Sequence, residues 1–200
     1  MKFVLASHNP NKLREMETIL AAMGAQAVLQ RDLGLDVDVE ETGSTFEENS
    51  FLKAAAVMQA SGLPAIADDS GIVVDALNGA PGVRSARYGG AACPDDAARN
   101  RLLLKNMEEV PDGQRTARFV SVITCVFPDG HSLSARGECA GIILREEVGS
   151  GGFGYDPLFY IPEEGITMAQ LSPERKNQIS HRARALAVFS EKLRELEKSC

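Results

Sequence analysis

Phe3-Val4-Leu5-Ala6-Ser7-His8-Asn9-Pro10-Asn11-Lys12 is the stretch on which the fold turns. Its four leading apolar residues read as a short buried strand, and Asn9-Pro10 then joins a good N-cap to proline at the first helical position. Leu13, Met16, Leu20 and Met23 follow as one apolar stripe at helical spacing, and Gly24 supplies the stop. A strand passing through a tight turn into an amphipathic helix is the opening of an α/β protein.

Working outward, residues 25 to 29 offer a second strand, followed by an acidic loop ending in Glu40-Glu41-Thr42-Gly43. Thr45-Phe46-Glu47-Glu48 forms a capping box that opens a helix to about Ser61, with Gly62 and Pro64 beyond it. Ala65-Ile66-Ala67 and Gly71-Ile72-Val73-Val74 are short apolar runs on either side of Asp68-Asp69-Ser70, so polar residues are expected to interrupt or end buried strands there. Gly79 to Gly90 reads as a glycine-rich loop carrying Arg84, Arg87 and Tyr88, and a helix from about Asp95 to Glu109 follows. Thr116 to Phe127 and Ser132 to Ala140, joined through Pro128-Asp129-Gly130, predict a long antiparallel hairpin. A second glycine-rich loop spans Gly149 to Gly154, Ser172-Pro173 repeats the cap-then-proline form, and Leu186, Phe189, Leu193 and Leu196 mark a C-terminal amphipathic helix. The expected architecture is α/β with a mixed sheet, as two lobes of a single domain over residues 1–200 with a cleft between them.

Composition narrows the function. Of 200 residues, 44% are hydrophobic and 24% charged, which suits a globular chain with a real core. Twenty-one Lys and Arg against 28 Asp and Glu leave a net charge of −7, a field that repels polyanions and argues against nucleic acid as a partner. Cys93, Cys125, Cys139 and Cys200 are scattered with no CxxC pair, the pattern of a reduced intracellular protein. The first apolar run is too short for a signal peptide and no stretch approaches bilayer length, so neither export nor a membrane is expected and the location is read as cytoplasmic.

Four constellations could carry chemistry. Ser7 to Lys12 sits where a strand hands over to a helix, and free N–H groups, the helix dipole, the Ser7 hydroxyl and Lys12 there would suit a phosphate; an ordinary capped helix with a solvated lysine would look the same. Glu40, Glu41, Asp68 and Asp69 form an acidic set that would face a cleft, bind Mg²⁺ with waters and phosphate oxygens, or be neutralised; turn chemistry at a strand end is the alternative. Gly149-Ser150-Gly151-Gly152-Phe153-Gly154 matches a dinucleotide fingerprint by letter, but Asp156-Pro157 and a β-like run follow where a helix should open. What remains is a loop expected to expose Phe153 and Tyr155 as a stacking face, with Asp156 as a reader of donor groups, or else a β-turn with core aromatics. Ser172 to Asn177 and Ser180-His181-Arg182 make a cationic cluster able to clamp phosphate or a carbonyl, or a solvated helix start. His8, His131 and His181 lack ligand spacing, so no structural zinc site is expected.

Taken in order, Ser7-His8-Asn9-Pro10-Asn11-Lys12, Glu40-Glu41-Thr42-Gly43, Asp68-Asp69-Ser70-Gly71, Gly152-Phe153-Gly154-Tyr155-Asp156-Pro157 and Ser180-His181-Arg182 resemble the inosine triphosphate pyrophosphatase family over nearly the whole chain. Gly79-Ala80-Pro81-Gly82 and Ser85-Ala86-Arg87-Tyr88 are similar to its bacterial branch. The resemblance implies an elongated mixed sheet with helices in two lobes around a cleft, a homodimer, and Mg²⁺-dependent hydrolysis of ITP, dITP, XTP and dXTP to the monophosphate and pyrophosphate. Such an activity would clear deaminated purines from the nucleotide pool before they enter DNA or RNA. By the same resemblance Ser7, His8, Asn9, Pro10, Asn11 and Lys12 would hold the triphosphate with Lys53 near it, and Glu41 and Asp69 would serve the metal. Asp69 would also activate water, Ser70 would contact the nucleotide, and Phe153 would stack on the base within Phe153, Gly154, Tyr155 and Asp156. Lys176, His181 and Arg182 would complete recognition, Arg182 as a donor to a carbonyl at position 6 of the purine. The family's usual Thr-Gly is Ser7-His8 here, and sequence leaves open whether Glu40 or Glu41 stands nearer the metal. A nucleotide sensor without turnover and a pyrophosphatase for a different nucleotide are the competing readings.

Overall fold

The structure is a computed structural model that describes residues 2–22 and 24–198. Met23, expected at the foot of the first helical stripe, and Cys200 lie outside the described residues. Strand β1 (Lys2–Leu5) leads into α1 (Pro10–Ala22) and then β2 (Gln26–Leu29), the unit predicted from the opening stretch. Helix α2 (Phe46–Ser61) begins at Thr45 with both halves of the capping box formed and ends at Gly62 in the left-handed conformation. Strand β3 (Ala65–Val74) is one unbroken ten-residue strand. The expected interruption at Asp68-Asp69-Ser70 is therefore absent, because each aspartate finds cations on the face it points to.

Helix α3 (Asp96–Asn106), capped by the Asp95 side chain, stops short of the expected Glu109. Strands β4 (Thr116–Val126) and β5 (Ser132–Ile143) form the predicted hairpin, and β6 (Phe159–Ile161) and β7 (Ile166–Thr167) follow. Ser172 caps α4 (Pro173–Ile179), and α5 (His181–Lys198) closes the described chain. The strands make one sheet in the order β2-β1-β3-β4-β5-β6-β7. β1 runs parallel to β2 and β3, while β6 runs antiparallel to β5 and β7, so the sheet is mixed as expected.

The chain divides into two compact units: residues through Asp69, Ser121–Gly137 and from His181 onward form the first, and Ser70–Val120 with Glu138–Ser180 form the second. In the first unit the pleat sorts the core by parity. Phe3 and Leu5 of β1 and Ile66 of β3 pack with Leu13, Met16 and Leu20 of α1 and with Leu186, Phe189 and Leu193 of α5. Val4, Ala65 and Ala67 face the other way, against Ala54 and Val57 of α2. The sheet is thus covered by helices on both faces, which accounts for the continuous apolar run of β1. Leu196, the last member of the predicted stripe, emerges at 37% exposure.

Close approach of α5 depends on Gly137 of β5, where an added Cβ would lie 2.2 Å from the Ala185 nitrogen and 2.3 Å from the His181 carbonyl oxygen. Because both obstacles are backbone, no rotamer change relieves the clash. Gly137→Ala is expected to cost about 2–3 kcal/mol by overpacking and to lower Tm by roughly 5–10 °C. A melting curve within 2 °C of the parent, on the order of measurement scatter, would contradict this contact.

The second unit has its own core, in which Ile72 and Val74 of β3 meet Leu103 of α3, Met107 just after it, Phe119, Tyr155, Leu158 and Phe159. Buried Arg115 donates to the carbonyls of Met107 (2.7 Å), Ile143 (2.8 Å) and Leu144 (2.9 Å), pinning the end of α3 to the end of β5. Cys93, Cys125 and Cys139 are buried. Among the described residues no helix is long and apolar enough to cross a membrane.

Candidate active site

Parity along β3 assigns its two aspartates to opposite faces of the sheet. Asp68 shares the Ile66 side, where α1 and α5 lie, and Asp69 shares the Ala65 and Ala67 side, where α2 lies. The two carboxylates therefore cannot act as a facing dyad.

Asp68, 1% exposed, is a neutralised charge. Its Oδ2 accepts from Lys12 Nζ and from Arg182 Nη2, both at 2.9 Å, and its Oδ1 accepts from the Ser121 hydroxyl at 2.5 Å. The other guanidinium nitrogen of Arg182 pairs with Glu15. Burial works against ionisation of Asp68, but Arg182 and Lys12 outweigh it and hold the carboxyl well below the usual carboxylate range. Arg182 is entirely buried, and the carboxylates of Asp68 and Glu15 keep it protonated.

Asp69, 4% exposed, is placed differently. Its Oδ1 accepts from Lys53 Nζ at 2.8 Å, and the same ammonium donates to Glu41 Oε1 at 2.8 Å and to the Asp68 carbonyl at 3.0 Å. Asp69 Oδ2 is buried with no hydrogen-bond partner among the described residues. Burial dominates over the attraction of Lys53 and Lys12, so the Asp69 carboxyl is pushed up to about 6. For Lys53 the balance is reversed: burial favours the neutral amine, but Asp69 and Glu41 win and raise it above the ordinary lysine value. One contact thus favours charge on both partners, and only on Asp69, where an oxygen lacks a donor, does desolvation prevail.

This donor set fits a hard divalent cation. Two carboxylates lie around one lysine, one of them with an open buried oxygen, as suits a Mg²⁺ ion that keeps waters and takes further oxygens from a substrate phosphate. Glu41 is the glutamate in this cluster, whereas Glu40 is exposed. Among the described residues no group of three or more His, Cys, Asp or Glu side chains gathers that could hold a metal unaided.

The turn before α1 is organised by its own side chains. Ser7 Oγ accepts from the Asn9 N–H at 3.2 Å, and Asn9 Oδ1 accepts from the N–H groups of Asn11 (3.0 Å) and Lys12 (3.2 Å), with Pro10 as the first helical residue. The cap was legible in sequence. His8 lies at the surface with Nε2 3.0 Å from Asp36 Oδ1 and 3.1 Å from Gln30 Nε2.

The second unit holds the aromatic loop. Asp156, 3% exposed, accepts on Oδ2 from Lys176 Nζ at 2.7 Å and from the Phe153 N–H at 2.9 Å, and Lys176 Nζ stands 4.7 Å from the centroid of the Phe153 ring. Phe153 and Gly154 are half-buried. Tyr155 corrects the expectation of an exposed stacking face: it is buried in the core, with its hydroxyl donating to the Ser85 carbonyl at 2.9 Å. Its hydroxyl proton is held more tightly than usual by that burial. Ser70 is half-buried in β3, and His181 is the buried first residue of α5.

The Ham1 family model matches residues 3–192. The chain belongs to the Ham1 family. A protein of Mannheimia succiniciproducens named dITP/XTP pyrophosphatase is 52% identical over 195 residues, covering 96% of this chain and 98% of that one. A Thermus thermophilus protein of the same name is 50% identical over 191 residues, covering 96% and 91%. Among solved structures, a HAM1 protein from Coxiella burnetii superposes with a TM-score of 0.87 at 43% identity, covering 98% of this chain and 99% of that one. The Staphylococcus aureus Ham1 protein gives 0.86 at 42%, with the same coverage.

For this Ham1 chain the sequence reading missed two members of the Asp68 network. Glu15 lies three residues after Lys12, hence on the same face of α1, and that spacing was a usable signal. Ser121 is a hydroxyl inside an apolar strand, where a buried donor must have an acceptor.

Proposed function

We propose that residues 1–200 act as one Mg²⁺-dependent enzyme that hydrolyses dITP, ITP, XTP and dXTP to the monophosphate and pyrophosphate, so removing deaminated purines from the nucleotide pool. The observation that carries this reading is Asp69: a buried carboxylate with an open Oδ2, raised to about 6, beside Glu41 and Lys53 in a Ham1 chain. Relatives about half identical to it bear the name dITP/XTP pyrophosphatase.

In this reading Ser7 to Lys12 receive the triphosphate, and Lys12, held by its ion pair with Asp68, helps neutralise it. A bound Mg²⁺, with Glu41 and Asp69 as its protein oxygens, would draw negative charge from the phosphates and lower the pKa of a coordinated water. Asp69 takes the proton from the attacking water, for which a pKa near 6 leaves it largely ionised at neutral pH and still basic. Lys53 keeps the two carboxylates in place. At the other end of the nucleotide, Phe153 stacks on the purine while Asp156 and Lys176 brace it, and Ser70, Gly154 and Tyr155 shape the surroundings. Lys176 and His181 complete recognition of the purine, and in place of Arg182 they are taken here as the donors to the carbonyl at position 6, which adenine lacks. Arg182, being buried and shared between Asp68 and Glu15, enters as the counter-charge that orients Asp68 and through it Lys12. We take the enzyme to be a cytoplasmic homodimer with no nucleic-acid or membrane partner.

The test is a panel of dITP, XTP, GTP, ATP and UTP with Mg²⁺, scored for pyrophosphate against orthophosphate, and repeated with EDTA. Pyrophosphate from dITP and XTP at a kcat/KM at least about 100-fold above that for ATP is expected, and EDTA should abolish it. Orthophosphate as sole product, or activity untouched by EDTA, would overturn the reading; binding without turnover would favour a sensor.

A further inference from the structure

The loop from Gly149 to Gly154 belongs to no strand or helix, so its backbone polar groups must find partners elsewhere. On either side of Phe153 the chain is left-handed, with φ of +71° at Gly152 and +63° at Gly154, and a Cβ at Gly152 would fall 2.0 Å from Asp156 Oδ2. Position of the Phe153 ring therefore depends on what grips the adjoining peptides. Asp156 takes the Phe153 N–H at 2.9 Å. Both polar groups of Gly154 are taken by α3: its N–H donates to Asp96 Oδ2 at 2.8 Å, and its carbonyl accepts from Asn100 Nδ2 at 3.2 Å.

These grips are themselves fixed. Asp96 accepts from Arg99 Nη2 at 2.6 Å, and Arg99 Nη1 donates to the Cys93 carbonyl at 3.2 Å. Asn100, 3% exposed, gives its second N–H to Glu147 Oε1 at 2.6 Å. Its Oδ1 has no partner among the described residues, so the amide orientation follows from the two acceptors facing Nδ2. Asp96 and Asn100 stand four residues apart and share one face of α3. A Phe153 ring ordered before the ligand arrives need not be immobilised on binding, and that preorganisation acts on affinity for whatever stacks on it.

We propose that Asp96 and Asn100 are positioning residues that set the affinity of the Phe153 face for a purine base without affecting the phosphate end of the site. This rests on the reading of Phe153 as the base-stacking group. The experiment measures KM and kcat for dITP, and Ki for inorganic tripolyphosphate as a competitive probe with no base, in the parent, Asp96→Ala, Asp96→Asn and Asn100→Ala. Asp96→Ala and Asn100→Ala should each raise KM about tenfold, with kcat and the tripolyphosphate Ki within about twofold of the parent. Asp96→Asn, which keeps an acceptor for the Gly154 N–H, should recover KM to within about threefold. An unchanged KM in both alanine variants, an Asp96→Asn no better than Asp96→Ala, or a tripolyphosphate Ki that weakens in step with KM would overturn the proposal while leaving the activity intact. A parent that fails to hydrolyse dITP would overturn the activity and this inference with it.

Discussion

Asp69→Asn is expected to lower kcat for dITP by about three orders of magnitude, to leave nucleotide binding within a few-fold of the parent, and not to lower the melting temperature of the metal-free protein at pH 8. The first two effects follow from losing the proton acceptor while Lys12 and the Phe153 loop stay in place. The third follows from the burial of Asp69. Its folded pKa is raised from 3.8 to about 6, so the folded state binds this proton more tightly than the unfolded chain does. Ionising Asp69 therefore subtracts stability as pH rises from about 4 to about 6, and the full penalty stands at pH 8. Two pKa steps correspond to about 3 kcal/mol at most, and the loss of one Lys53 partner offsets part of what asparagine relieves. In the parent, activity should fall as pH drops through a limb near 6, displaced downward where bound Mg²⁺ favours the carboxylate. Steady-state rates between pH 5 and 9, on the order of one point per half unit, with calorimetry on both proteins, check these expectations. Turnover within tenfold of the parent, less than about 1.4 kcal/mol of barrier, would remove Asp69 from its role.

Arg182→Met is expected to be strongly destabilising. It takes the guanidinium away from Asp68, 1% exposed, whose Lys12 ion pair and Ser121 hydrogen bond remain, and strips Glu15 of the same partner. Removing one member of a buried ion pair costs about 3–5 kcal/mol, and a chain of this size then melts roughly 10 °C lower. Arg182→Lys should recover part of the loss, because an ammonium keeps the positive charge but lacks the planar fork whose two Nη atoms reach Asp68 and Glu15 from this position. The acid limb follows with a definite sign. Asp68 is depressed in the folded state, so its contribution is fully present above the unfolded value of 3.8 and is lost as pH falls from there toward the folded pKa. Urea unfolding at pH 7 and at pH 3 should show that loss in the parent and a shallower one in Asp68→Asn. A melting temperature for Arg182→Met within about 2 °C of the parent would contradict the network.

Much of the local structure was legible because its causes are local. Asn9-Pro10, the Thr45 box and Ser172-Pro173 each satisfy helix-terminal N–H groups or begin a helix with residues a few positions apart, and each helix begins where they stand. The hairpin and the mixed sheet followed from alternation and turn residues. Where the reading failed, the cause was distant. Breaking β3 at its acidic pair assumed that adjacent charges cannot lie within a buried strand, yet Lys12, Lys53 and Arg182 reach them from three helices. Tyr155 looked free to stack because nothing nearby in sequence announces the Ser85 carbonyl that takes its hydroxyl.

Sequence alone determined the element types, the order of the chemical motifs and their likeness to one family, since those depend on residue kinds and short spacings. Tertiary structure alone decided that Asp68 is a neutralised anchor while Asp69 keeps an open oxygen, that Glu41 and not Glu40 joins it, and that α3 grips the Gly154 peptide. The physical reason is common to all three. Charge state and preorganisation depend on which groups lie within about 3 Å after burial, and in this chain those groups come from residues as far apart as Asp68 and Arg182.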